Sequence, residues 1–240
     1  MKRGSMLHDA FVLHARPFRN SSQIVELLTA TEGKIGVVAR GSSRGKSPQT
    51  ALLQPFQPLQ IAWSGRGELH TLSTVEPAGA RFTLSGRRMF CGLYANELLM
   101  RLLHRGDSYP QLFSSYHHLL QRLSAGEEEG WLLRQFEIGL LEAVGFGFDL
   151  DLDSEGAPIA PQQRYRYHPD EGMVPTVTVT ESGNHCTVMG RTLQWLQTME
   201  REVEKTILRE AKQLLRSALD YHIPGELQSR KLIAQYSTLQ

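Results

Sequence analysis

Ile24–Arg40 reads IVELLTATEGKIGVVAR, and the fold turns on how these residues are read. Ile24–Ala30 (IVELLTA) and Lys34–Arg40 (KIGVVAR) are short apolar runs of strand length. Thr31-Glu32-Gly33 between them is a tight hairpin connection, with Gly33 able to adopt a positive φ. Working outward, Ala10–Ala15 (AFVLHA), Leu59–Trp63 (LQIAW) and Glu68–Val75 (ELHTLSTV) are similar runs. Ser64-Gly65-Arg66-Gly67 forms a second short turn. In the longer connection Gly41–Phe56, Ser47-Pro48 has the pattern of an N-cap followed by proline at the first helical position, opening a short helix through Leu53. Residues 1–80 therefore read as five strands.

From Ser85 the apolar period becomes helical. Arg87–His104, Tyr109–Leu123, Glu127–Val144, Val203–Tyr221 and Arg230–Tyr236 are helical segments. In Tyr109–Leu123, residues Leu112, Phe113, Tyr116, Leu119, Leu120 and Leu123 share one face. Arg164–His168 and Met173–Thr180 read as a hairpin around Pro169–Gly172, and Asp149–Gln163 as an exposed loop. The fold class is α+β multidomain. A five-stranded barrel in residues 1–80 precedes a mostly helical domain, 81–240, with a small hairpin insertion at about 164–180.

Among 240 residues, 26 Lys and Arg against 25 Asp and Glu give a net charge of +1. That excludes a uniformly basic coat for nucleic acid. The charge is uneven, however: net +4 over 1–80, −1 over 81–150 and −2 over 151–240. No apolar run approaches the roughly 18–20 residues of a membrane span, and MKRGSMLHDA is not followed by a secretory apolar segment. Cys91 and Cys186 are the only cysteines, which excludes a disulfide scaffold and a four-thiolate metal site. A reducing, cytoplasmic setting is the default.

Three tempting motifs fail on spacing. Gly41–Ser47 (GSSRGKS) ends like a P-loop, but the first glycine would fall on Arg40, and Pro48 follows directly. Asp149, Asp151 and Asp153 alternate as in an EF-hand, yet its sixth and twelfth positions are Ser154 and Ala160. His117 and His118 are adjacent and point to different helix faces, so they do not pair as metal ligands. No catalytic residue is assigned.

The remaining signal is cationic. On an OB-type barrel, ligand runs over strands two and three and between the first–second and fourth–fifth connections. Arg16 and Arg19 fall in the first connection with Phe18 between them, and Arg66 falls in the other. Lys34, Arg40, Arg44 and Lys46 flank and extend strand three. Such cations bind phosphates without reading bases, and Phe18 is the candidate for base stacking. Trp63 shares a face with Leu59 and Ile61 and reads as core. The competing reading, that these cations only solvate a small barrel, stands level on composition alone.

The order of motifs resembles the RecO family of bacterial recombination mediators. It is carried by Phe11–Arg19 (FVLHARPFR), Glu26–Arg44 (ELLTATEGKIGVVARGSSR), Leu53–Leu59 (LQPFQPL) and Gly65–Leu72 (GRGELHTL). In the helical part Gly92–Leu103 (GLYANELLMRLL), Leu112–Tyr116 (LFSSY), Leu133–Gly147 (LRQFEIGLLEAVGFG) and Ser229–Tyr236 (SRKLIAQY) carry it. The resemblance implies an N-terminal OB-fold domain and binding of single- and double-stranded DNA. It also implies annealing of complementary strands and work with RecR that helps RecA replace the single-stranded-DNA-binding protein. It implies no nucleotide hydrolysis; for this chain no cofactor is expected. Many family members hold zinc with four cysteines after the FEIGLLEAVGFG segment; Asp149–Gln163 has none, so a zinc-free form is expected.

Family members also recognise the acidic, Phe-ending tail of the single-stranded-DNA-binding protein. Arg134 beside Leu133 and Phe136, joined by Arg122, is the expected pocket; an ion pair of Arg134 with Glu137 or Glu142 is its rival. A protein-interaction adaptor whose barrel binds no DNA is the alternative function, and a hidden hydrolase has no clustered motif in its favour.

Overall fold

The computed structural model describes residues 6–41, 51–178 and 186–238. Five strands close into a barrel: β1 (His8–Phe18), β2 (Ser22–Thr29), β3 (Gly33–Arg40), β4 (Leu59–Ser64) and β5 (Leu69–Pro77). Their order is β1-β2-β3-β5-β4, with β4 pairing back to β1 and β3 parallel to β5. This is the OB-type topology expected. Alternation along the strands fills the interior with Val12, Val25, Leu27, Ile35, Val37, Ala39, Leu59, Ile61 and Leu72. Each fully buried Leu, Ile or Val contributes about 1.5–3 kcal/mol. The hairpin glycine Gly33 sits at φ 62°, and a Cβ there would lie 1.8 Å from the Asp107 carbonyl oxygen. Leu53 joins this core, and Ala51–Leu52 end a helical turn; the start of the short helix expected from Pro48 lies outside the described residues.

Helices α1 (Arg87–Leu102) and α2 (Pro110–Ser124) pack with the barrel in one compact unit, completed by α6 (Gln228–Thr238) from the far end of the chain. A bulge in β1 between Val12 and His14 takes Leu13 out of the ladder. Buried Asn96 on α1 meets this exposed backbone, its Nδ2 donating to the Leu13 and Val12 carbonyls at 3.1 and 3.4 Å. The Tyr116 hydroxyl on α2 donates to Asn96 Oδ1, and burial pushes that phenol far above its ordinary pKa. Phe11, on the outer face of β1, packs against Phe113, Tyr116 and His117 of α2.

Residues 127–227 form a second compact unit. It contains α3 (Glu129–Ala143), the strands β6 (Arg164–His168), β7 (Gly172–Thr176) and β8 (Thr187–Met189), then α4 (Gly190–Thr198) and α5 (Lys205–His222). The hairpin expected around Pro169–Gly172 is β6–β7, and β8 extends it to a sheet ordered β7-β6-β8. Packing thus draws its boundary between Gly126 and Glu127, while strands give way to helices near residue 80. The reason is that α1 and α2 cover the barrel.

In the Asp149–Gln163 loop the carboxylates turn onto their own backbone. Asp149 Oδ1 accepts from the N–H of Asp151 and Leu152, and Asp153 Oδ1 from Glu155 and Ala157. These bonds hold the Asp149 carboxyl below its ordinary pKa. Among the described residues, no group of three or more His, Cys, Asp or Glu could hold a metal ion, and no helix is long and apolar enough to cross a membrane.

Candidate nucleic-acid interface

The strand register fixes where the barrel cations lie. Phe18 pairs with Ser22, and Ser22 with Arg40, so the three form one row across β1, β2 and β3. At a strand spacing of about 4.8 Å, Phe18 and Arg40 stand about 10 Å apart. The next row inward is Arg16, Ile24 and Val38. Inward-facing Val25, Leu27, Val37 and Ala39 lie on the opposite face, so Arg16, Phe18 and Arg40 point outward together.

Arg16 and Arg40 are exposed, and Phe18 is half-buried. Exposed Arg19 follows Phe18 at φ 54°, and its guanidinium lies 5.0 Å from the Phe18 ring centroid. That left-handed turn residue folds the cation back over the aromatic face. This end of the barrel therefore carries three arginines around one ring. Arg44 and Lys46, expected to extend it, lie outside the described residues.

The other end of the same face is covered. Lys34 is 9% exposed, and its ammonium donates to the Met100 carbonyl at 2.8 Å. Burial pulls its pKa below the ordinary lysine value; Glu26 opposes that shift and Arg105 adds to it. Arg105 forms an ion pair with buried Glu26, the residue beside Gly36 in the β2–β3 ladder, and its Nη1 donates to the Glu68 carbonyl at 3.4 Å. Ser108 Oγ donates to the Thr31 carbonyl at 2.6 Å. The expectation that Lys34 presents its charge to a ligand is corrected: residues 100–108 cover it. Among the described residues, the β2–β3 face is exposed at Arg40.

Arg66 is exposed in the β4–β5 turn, between Gly65 and Gly67 at φ 104° and 101°. The register places that turn at the barrel end of His8 and Gly33, opposite the Arg16–Arg40 end. The predicted cations are therefore split between two ends. Near Arg66 lies a cavity of about 660 Å³ lined by Met6, His8, Lys34, Trp63, His70 and Arg105. The Trp63 ring stands 4.6 Å from that of His8 and 6.1 Å from that of His70. Trp63 lines this cavity while it still packs on the core, and the register shift beside it leaves Ser73 of β5 out of the ladder.

In the second unit, Arg134 is buried, with Nε and Nη2 donating to the two Glu137 carboxylate oxygens at 2.6 Å each. Side-chain exposures of 6% and 2% make this a closed bidentate pair. Leu133 and Phe136 are buried as well, and Arg122 belongs to α2 of the first unit. The expected tail pocket is thus not open: the ion-pair alternative is what the helix forms, because Glu137 stands one turn from Arg134. A concavity of about 540 Å³ elsewhere in this unit is lined by Ile138, Phe148 and Leu196 but also by Glu142, Asp149 and Asp151, which would repel an acidic peptide.

Gly41–Gly45 also spells Gly-x-Ser-x-Gly, the pattern of a hydrolase nucleophile elbow. That pattern acquires meaning after a strand of an α/β-hydrolase sheet. Here it follows β3 of a closed barrel, and residues 42–45 lie outside the described residues.

Fold and rim together define an OB-type barrel with a basic, aromatic edge, followed by helices and a small separate sheet. Two family descriptions match the chain: Recombination protein O N terminal over residues 1–81, and Recombination protein O C terminal over residues 84–231. It is 42% identical to DNA repair protein RecO of Methylococcus capsulatus, over 97% of this chain and 94% of the relative. It is 42% identical to the protein of that name in Alkalilimnicola ehrlichii, over 96% and 91%, and 39% identical to that of Yersinia pestis, over 95% and 93%. The chain belongs to the RecO family of DNA repair proteins.

Proposed function

We propose that the chain is a non-enzymatic recombination mediator. It binds single- and double-stranded DNA and anneals complementary strands. With RecR it helps RecA replace the single-stranded-DNA-binding protein, in the bacterial cytoplasm at the nucleoid. The observation that carries this reading is the barrel end where Arg16, Arg19 and Arg40 are exposed and the Arg19 guanidinium lies over the Phe18 ring. Cations there neutralise phosphates on two strands and lower their mutual repulsion, and base pairing supplies the driving force. Phe18 adds a stacking surface for an unpaired base. Arg44 and Lys46, which lie outside the described residues, follow Arg40 in sequence and add two cations to this stretch. Arg66 adds a phosphate contact at the opposite end. No nucleotide, metal or other cofactor enters this mechanism.

The decisive experiment is annealing of complementary strands precoated with single-stranded-DNA-binding protein, at several salt concentrations. Wild type accelerates annealing, and its oligonucleotide affinity falls steeply with salt. Arg16→Glu with Arg40→Glu weakens binding about tenfold or more, regardless of sequence. Absence of any oligonucleotide binding at low salt would overturn the reading in favour of the adaptor. Contact with the partner's acidic tail at Arg134 requires that residue to leave Glu137. An Arg134→Ala variant that binds a tail peptide as tightly as wild type shows that Arg134 is no tail contact.

A further inference from the structure

Helix α5 carries Lys205, Arg209, Lys212 and Arg216 at i, i+4, i+7 and i+11. At about 100° per residue, all four fall within an arc of about 60°. All are exposed, while Ala211, Leu214, Leu215, Ala218 and Leu219 occupy the buried face. The row spans about 16 Å along the axis. Glu210, the acid within this stretch, is turned to the buried side, accepting from Met189 N–H and Thr192 Oγ1 at the start of α4. Asp220 pairs with Arg216 at the far end of the row, at 3.4 Å.

Helix stability does not account for this arrangement. Lys205 stands in the first turn, where the helix dipole disfavours a cation. Each successive pair in the row is like-charged at i+3 or i+4, which destabilises a helix. A polyanion laid along the row would relieve both effects. No apolar or aromatic side chain interrupts the four, so the row offers neither an anchor for a protein partner nor a stacking surface for bases. It offers evenly spaced charge, and one strand of duplex DNA carries a phosphate about every 3.4 Å of axis.

We propose that this face of α5 is a second nucleic-acid contact, taking the phosphate backbone of a strand or duplex without reading its sequence. The inference rests on the mediator reading and gives it a second binding surface, separate from the barrel rim. It also gives the net-negative stretch 151–240 a surface that can take a phosphate backbone: Lys205, Arg209 and Lys212 are exposed together there, while Glu210 is turned to the buried side.

The test compares full-length wild type, the triple variant Lys205→Gln, Arg209→Gln, Lys212→Gln, and the pair Arg16→Gln, Arg40→Gln. Fluorescein-labelled single strand, its duplex and an acidic Phe-ending peptide serve as probes. The triple variant keeps its helical signal and unfolds no earlier than wild type, because like-charge repulsion is removed. Its slope of log affinity against log salt for duplex falls by about 2–3, and annealing slows about tenfold. A triple variant that binds and anneals like wild type, while the barrel pair fails, overturns the ridge and leaves the mediator reading standing. Loss of peptide binding with DNA binding unchanged overturns it in favour of a protein partner. Wild type that binds neither DNA probe overturns both readings.

Discussion

Buried Lys34 and Glu26 sit together with the exposed Arg105, the ion-pair partner of Glu26, and each depends on the others. Lys34→Ala removes the donor to the Met100 carbonyl and one of the two cations beside buried Glu26. A buried hydrogen bond from a charged group is worth about 1.5–3 kcal/mol, so the variant is expected to unfold at lower urea by about 2 kcal/mol. Its oligonucleotide affinity stays at the wild-type value. Unchanged stability with weakened DNA binding would instead make Lys34 a direct contact. The sequence placed Lys34 at the flank of strand three. What it could not reveal was the covering segment, because Met100 and Arg105 lie some seventy residues along the chain. Arg16 and Arg40 differ from Lys34 in being exposed among the described residues.

Helix α6 is held at its first turn by a carboxylate from another helix. Glu97 on α1 accepts from the N–H groups of Gln228 and Ser229 and from the Ser229 hydroxyl, at 2.9, 2.8 and 2.6 Å. Burial works against its charge, but the Ser229 and Gln228 bonds, with Arg101 nearby, outweigh it and hold its pKa below the ordinary carboxylate value. A depressed folded pKa means this anchor is fully present above the unfolded value, near about 4.3, and is lost as pH falls through the lower folded value. Glu97→Ala is expected to speed amide exchange in the first turns of α6 about fivefold, equivalent to a lost cap of about 1 kcal/mol. It should also flatten the acid dependence of that exchange below about pH 4. Exchange rates equal to wild type at neutral pH would show that Glu97 does not hold the helix. The periodicity of SRKLIAQY marked the helix itself. Its cap was not legible, since local rules look for an N-cap within the adjoining residues and this one comes from α1.

Across the whole molecule, chain order and packing order part company. The first unit is assembled from residues 1–126 and 228–240, with 127–227 forming the second unit between them in sequence. On α1, the Phe90 ring meets that of Tyr236 at 5.2 Å, and the Arg230 guanidinium lies 5.6 Å from the Tyr94 ring centroid. Deleting residues 228–240 should therefore weaken the barrel unit rather than the unit that immediately precedes the deletion. The three tryptophans allow this to be read separately: Trp63 lies in the first unit, Trp131 and Trp195 in the second. In a background of Trp131→Phe and Trp195→Phe, Trp63 fluorescence should report unfolding at lower urea for the truncated chain. In a Trp63→Phe background, the signal from Trp131 and Trp195 should be unmoved. The reverse pattern would place α6 with the second unit. Counting charge by stretch of sequence could not anticipate this arrangement, nor the cationic face of α5 inside a net-negative stretch. Both depend on which residues share a surface, and helical period and tertiary packing decide that.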